Sequence, residues 1–318
     1  MMKKKWIAFR TGWNNRSKHK DRCSNRTLTF MALPPAALIF LFSYIPYIGL
    51  ILAFKNFKVN KGVFGSDWVG FKNFEFFFKS TDAWVVLRNT IGLNLIFIFL
   101  TLVISIAIAL MINEIRSRTK VKLIQTIMFF PYFLSWVVVS YMLYAFLNTD
   151  LGILNTALTK LGLPTVSWYS KSQYWPFILT FMFIWKNAGY NAVIYYASIM
   201  GIDDSLYEAA VLDGASHWQS IWYITLPMLK KIIICLTILH IGKIMYSDFG
   251  LFYQLPRDQG ALYATTDVLD TYIYRMLRVT GNIGVSAAVG LFQAVVGFVM
   301  IVGSNAVVRK FDEESAIF

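Results

Sequence analysis

The chain has 318 residues, of which 57% are hydrophobic and 15% charged, and its net charge is +13. So few charged groups cannot cover a water-facing surface, and the apolar residues come in long unbroken runs instead of period-two or period-3.6 stripes, which excludes a soluble globular fold. The basic excess lies at the ends of those runs, where it orients spans in a bilayer, so nucleic acid is not an expected partner and the bilayer is. Cys23 and Cys235 lie far apart in a basic tail and an apolar run, and offer neither a disulfide framework nor metal-ligand spacing.

Residues 1–29 carry nine Lys or Arg against the single acid Asp21 and read as a basic cytoplasmic tail. The apolar run from Phe30 to Phe54 is too long for the h-region of a cleaved signal, about 7 to 15 residues, and is read as an uncleaved first span. Further spans are expected at Thr90–Ile112, Leu123–Leu147, Tyr174–Met200, Ile232–Gly250 and Ile283–Val308, giving a six-helix, all-α membrane domain over 30–308. With six spans both termini share one face. Seventeen Lys or Arg outside the spans fall on that face against eleven on the other, which puts both termini, including a tail at 309–318, in the cytoplasm.

The opposite face is aromatic, with Trp68, Phe71, Phe74, Phe76, Phe77, Phe78 and Trp84 before the second span and Trp168, Tyr169, Tyr174 and Trp175 before the fourth. Phe74, Phe77 and Phe78 at helical spacing predict an amphipathic helix lying on the membrane.

The cytoplasmic segment 201–230 is too patterned for a plain connector. Asp203 or Asp204, or Ser205 with Glu208, can cap a short helix, and Gly214 can close it before a second helix runs toward Leu226 and Pro227. Leu206, Ala209, Ala210 and Leu212 supply a small apolar surface flanked by Tyr207 and Glu208. By pattern alone such a loop either rests on the membrane or docks a partner.

Polar groups inside spans mark cavities and partners. Trp185, Lys186, Asn187, Tyr190, Asn191 and Tyr195 cluster in the fourth span, where Asn187, Tyr190 or Asn191, and Tyr195 approximate one helical face. The fifth span adds His240, Lys243, Tyr246, Ser247 and Asp248, with Lys243 nearest its middle. Amides hydrogen-bond hydroxyls and rings stack on sugar faces, so Trp185, Lys186, Asn187, Tyr190, Asn191, Tyr195, Lys243 and Tyr246 form the candidate substrate path; the two lysines would favour acidic sugars. The competing reading has Lys186 paired with protein groups and the amides joining helix to helix. His240 is read as a packing residue, and Gly281, Gly284, Gly290 and Gly297 as sites of close helix packing.

Glu208-Ala209-Ala210, Asp213-Gly214-Ala215 and Leu226-Pro227 resemble, in order and spacing, the EAA loop of membrane subunits of bacterial ABC importers. Phe130-Pro131-Tyr132-Phe133-Leu134-Ser135-Trp136, Ser247-Asp248-Phe249-Gly250 and Thr266-Asp267-Val268-Leu269-Asp270-Thr271-Tyr272 are similar to sugar permeases of Gram-positive bacteria that import complex oligosaccharides. This resemblance implies the type I importer permease fold, with Tyr207, Glu208, Ala209, Ala210, Leu212, Asp213 and Gly214 in a coupling helix that docks on a cytoplasmic ATPase. It also implies a second permease subunit in a heterodimer, two copies of that ATPase and an extracellular sugar-binding lipoprotein. Many relatives carry a second proline four residues after the first; here Lys231 stands in its place, so a straighter approach to the fifth span is expected. No GxxxxGK[ST] phosphate cradle is present, so the chain is not expected to be an enzyme or to hold a cofactor or metal; ATP and Mg would sit on the partner ATPase. An ion-gradient-driven secondary transporter is the alternative, and it would call for carboxylates or broken helices at the midplane.

Overall fold

The computed structural model describes residues 26–311, so the expected tail at 1–29 lies almost wholly, and that at 309–318 mostly, outside the described residues, as does Cys23. Four helices are long and apolar enough to cross a membrane: Arg26–Phe54, Thr81–Asn113, His217–Gly242 and Ile283–Lys310. The third span in chain order is formed by two helices, Arg118–Phe133 and Trp136–Leu147, that meet at 93°. The fourth in chain order, Trp175–Ile199, has 25 residues, enough at about 1.5 Å each to cross the hydrocarbon core, although Lys186 and its amides dilute its hydropathy.

Three of the expected spans are corrected. The third is broken, because Pro131 ends the regular ladder, Leu134 is extended, and the Ser135 hydroxyl accepts from Val138 N–H to start a new helix. The fifth ends at Gly242 instead of Gly250. Tyr246, Ser247 and Asp248 lie in an irregular linker, and Lys243 is the cap of the helix instead of its middle. The second span begins at Thr81, nine residues before its expected start, where the Ser80 hydroxyl caps Ala83 N–H.

Irregular backbone at membrane depth is tolerated only when its polar groups find partners. Asn94 of the second span donates to the carbonyls of Ile244 at 2.9 Å and Tyr246 at 3.3 Å, and Gln293 of the sixth donates to Met245 O at 2.7 Å. Asp270 accepts from Ser247 N–H at 2.7 Å. The linker is therefore held from three sides.

The second and fourth spans pack along each other, with Phe97 stacked on Phe183 at 4.3 Å and Ser105 donating to Ala188 O. Gly189 lets the first half of the third span approach so closely that a Cβ there would lie 2.2 Å from Met128 O. Gly297 meets Gly242 O across the fifth and sixth spans, and Gly284 meets Asn73 and Lys55, as expected of packing glycines; Gly290 faces open space. The helix Lys72–Lys79 does not simply lie on the membrane: Phe77 is buried against Tyr272, and Phe78 packs edge-on against Phe292. Its amphipathic pattern is satisfied by protein. Helix Leu269–Arg278 is anchored by a buried Arg275–Asp267 ion pair and by Thr90, whose hydroxyl accepts from Leu269 N–H. The first span is the exception, since only 6% of its most apolar window is buried.

Candidate functional site

The second, fourth and fifth spans and the linker enclose a cavity of about 190 Å³. Asn187, Asn191 and Tyr195 enter it from the fourth span, Lys243 and Tyr246 from the end of the fifth span and the linker. Five of the eight residues expected on the substrate path thus share one space. The remaining three do not line it. Trp185 faces an apolar groove with Phe177 and Phe181, and Tyr190 stacks on Tyr132 with ring centroids 4.5 Å apart.

Lys186 is buried with its ammonium turned into the break of the third span. It donates to the carbonyls of Tyr132, at 2.9 Å, Pro131 and Leu134, and sits 5.0 Å from the Trp136 ring centroid. These carbonyls lie at the C-terminal end of a helix, where regular donors run out although Pro131 O still accepts from Leu134 N–H at 3.2 Å, and a cation there also meets the negative end of the helix dipole. The alternative in which Lys186 pairs with protein groups describes its position.

Sequence reasoning overlooked Asn94, Thr101 and Thr237, and set aside His240 as packing; all four line the cavity. Asn94 and Thr101 stand seven residues apart on the second span, a spacing of two helical turns that would have placed them on one face. The Thr101 hydroxyl is buried without a hydrogen-bond partner among the described residues. Asn187 and Asn191 line the cavity, and their side-chain amides donate to the carbonyls of Phe183 at 2.9 Å and Asn187 at 3.0 Å. Amides, hydroxyls and aromatic rings thus share the lining of one space, groups able to hydrogen-bond and stack on a hydroxyl-rich solute.

On the opposite end, helix Asp204–Leu212 is capped by Asp203, whose carboxylate accepts from Ser205 N–H at 3.0 Å. That hydrogen bond holds the Asp203 carboxyl below the usual carboxylate range. Gly214 closes the helix at φ +79°, a conformation that costs other residues about 1–2 kcal/mol. Ser216 and Gln219 then form a capping box that starts the helix leading into the fifth span, and His217 pairs with Glu114 at 3.2 Å. Leu212 is 88% exposed, and Val211, Glu208, Ala209 and Asp213 also face outward. Tyr207 and Ala210, one turn apart, face the chain itself. Among the described residues no group of His, Cys, Asp and Glu is placed to hold a metal ion.

Residues 101–313 match the family described as binding-protein-dependent transport system inner membrane component. Protein LplB of Bacillus subtilis is 34% identical over 286 residues, covering 90% of this chain and 89% of that protein. The polygalacturonan/rhamnogalacturonan transport system permease protein YteP of the same organism is 33% identical over 287 residues, with the same coverage. A chain in the crystal structure of a bacterial ABC transporter involved in the import of the acidic polysaccharide alginate superposes with a TM-score of 0.83 at 34% identity, covering 92% of this chain and 98% of that one. A chain of that transporter in complex with an alginate pentasaccharide-bound periplasmic protein gives a TM-score of 0.82 at 34% identity.

Proposed function

Since the chain belongs to the family of binding-protein-dependent transport system inner membrane components, a multi-pass protein of the cell membrane, we propose that it forms one half of the pore of an ATP-driven importer for an oligosaccharide. The observation that carries the reading is the pairing of a hydroxyl-matched cavity inside the spans with a rigid, outward-facing helix Asp204–Leu212 at one end. Relatives named for oligosaccharide and polygalacturonan transport, and a superposable chain from an alginate importer, support a sugar cargo. At about 190 Å³ the cavity is smaller than the roughly 300–1,000 Å³ of ordinary ligand sites, which fits a site completed by a second permease.

The first span fits the same picture, because its exposed apolar faces are available to lipid and to that second subunit. Both termini lie in the cytoplasm, on the face richer in Lys and Arg. There Leu212, Val211, Ala209 and Glu208 dock on the ATPase, with Asp213 and Gly214 closing the helix and Tyr207 and Ala210 seating it on the spans. ATP and Mg bind that separate subunit, and a binding protein delivers the sugar on the outer face. The ATPase shifts the pore between states only by binding one of them more tightly. Asn187, Asn191, Tyr195, Lys243 and Tyr246 contact the sugar in transit.

Purification from the native membrane in mild detergent, with mass spectrometry of what stays bound, tests this. Recovery of a second permease and a nucleotide-binding subunit is the expected result. Recovery of a monodisperse chain alone, active with an ion gradient, would refute it.

A further inference from the structure

The docking helix Asp204–Leu212 is joined to the fifth span by one side-chain hydrogen bond across 18 residues, Tyr207 Oη to Thr225 Oγ1 at 2.9 Å. Thr225 is buried and stands at the last position of a π-helical turn, Ile221–Thr225, within the helix His217–Gly242. In that turn Leu226 N–H reaches five residues back to Ile221 O, and the next residue is Pro227. Pro227 has no N–H to offer the carbonyl of Tyr223, and its ring would crowd that carbonyl in a regular ladder. The widened turn absorbs the proline. Turns of this kind are rare and concentrate at functional positions.

The Thr225 hydroxyl has one proton, and it donates to Ser220 O at 3.4 Å. Its oxygen must then accept from Tyr207, so the chain of donation runs from Tyr207 to Thr225 to the Ser220 carbonyl. Tyr207 is half-buried on the inner face of a helix whose other face is exposed. Its hydroxyl therefore faces the widened turn. A rigid helix that moves with its partner pulls on the spans where it is bonded to them, and this bond lies at the one place where the fifth helix departs from the α-helical ladder.

We propose that Tyr207 is a positioning residue for coupling: it transmits displacement of helix Asp204–Leu212 to the π turn through Thr225, and the ATPase itself is gripped by other residues. The inference rests on the importer reading above.

The test uses the importer purified with its own partners and reconstituted into vesicles, with bound ATPase, ATP hydrolysis and sugar uptake read in one preparation. Tyr207→Phe removes only the hydroxyl, and Thr225→Val removes the acceptor at nearly constant volume. Each variant is expected to keep its ATPase but to lose about fivefold or more in sugar moved per ATP, the scale of one hydrogen bond used in coupling. The double variant is expected to be no worse than either single one, and Thr225→Ser to match the unaltered protein. Unchanged uptake per ATP in Tyr207→Phe, additive losses, or a defect in Thr225→Ser equal to that of Thr225→Val would overturn the inference and leave the importer reading intact. Failure of the unaltered protein to retain an ATPase would instead overturn the importer reading, and this inference with it.

Discussion

The Trp136 indole N–H donates to the Asp248 carboxylate at 2.6 Å, and so ties the break in the third span to the linker that follows the fifth. Asp248 also caps helix Phe249–Gln254 through Leu251 N–H and lines the cavity, while Trp136 packs against Gly250 and under the Lys186 ammonium. Two interruptions that each cost backbone hydrogen bonds are thereby tied to one another by one contact. A solute entering the cavity meets the carboxylate that fixes both.

Trp136→Phe keeps most of the ring packing and removes the donor. Asp248 then loses a charged hydrogen bond worth about 1.5–3 kcal/mol. Sugar uptake is expected to fall severalfold with unchanged retention of the ATPase, as measured in vesicles. Wild-type uptake would show that the bond plays no part in the transport cycle.

Lys186→Met removes the ammonium from the carbonyls of Pro131, Tyr132 and Leu134 and leaves buried acceptors without donors, at about 1–3 kcal/mol for each that stays unpaired. The expected outcome is a lower midpoint of thermal aggregation in detergent. A midpoint equal to that of the unaltered protein, together with a changed preference between neutral and acidic sugars, would return Lys186 to the substrate path.

Gly214→Val places a β-branched side chain at φ +79°, where nothing within 4 Å would crowd it but the backbone itself resists. The turn after the docking helix should reorganise. The variant should insert in the membrane at normal levels and lose coupling, seen as ATP hydrolysis that no longer responds to sugar-loaded binding protein. Normal uptake would contradict the role of the loop.

Asn191→Leu deletes one amide from the cavity lining and frees Asn187 O from its side-chain donor. Uptake should change in apparent affinity for the sugar, by roughly fivefold for one hydrogen bond, while ATPase retention stays normal. Unchanged uptake kinetics would mean that Asn191 serves helix packing only.

Much of this was legible in the residues. Asp203 and Gly214 bracket helix Asp204–Leu212 in sequence as they do in space, because caps and left-handed closures are local. The apolar runs placed six spans because length and hydropathy together decide which segments can cross a bilayer. Pro131 inside the third run was a legible sign of the break that the reading passed over, whereas the point at which the fifth helix stops was not read from its run. Leu134 and Ile244 are themselves apolar, and what permits the backbone to leave the helix there is a set of distant side chains: Lys186 for the third span, Asn94, Gln293 and Asp270 for the linker. The same blindness misplaced Lys186, because a lysine in a span looks alike whether it faces a solute or a set of carbonyls. His240 was set aside for want of a nearby partner, and only the fold brings it to the wall shared with Asn94 and Thr101.

The most direct test of the importer reading is uptake of labelled oligosaccharide by sealed vesicles that contain the purified complex, with the binding protein outside and nucleotide trapped inside. Uptake that requires both internal ATP and the binding protein, and that persists when ion gradients are collapsed, is the predicted result. Uptake that needs no nucleotide and stops when the gradients are collapsed would contradict it.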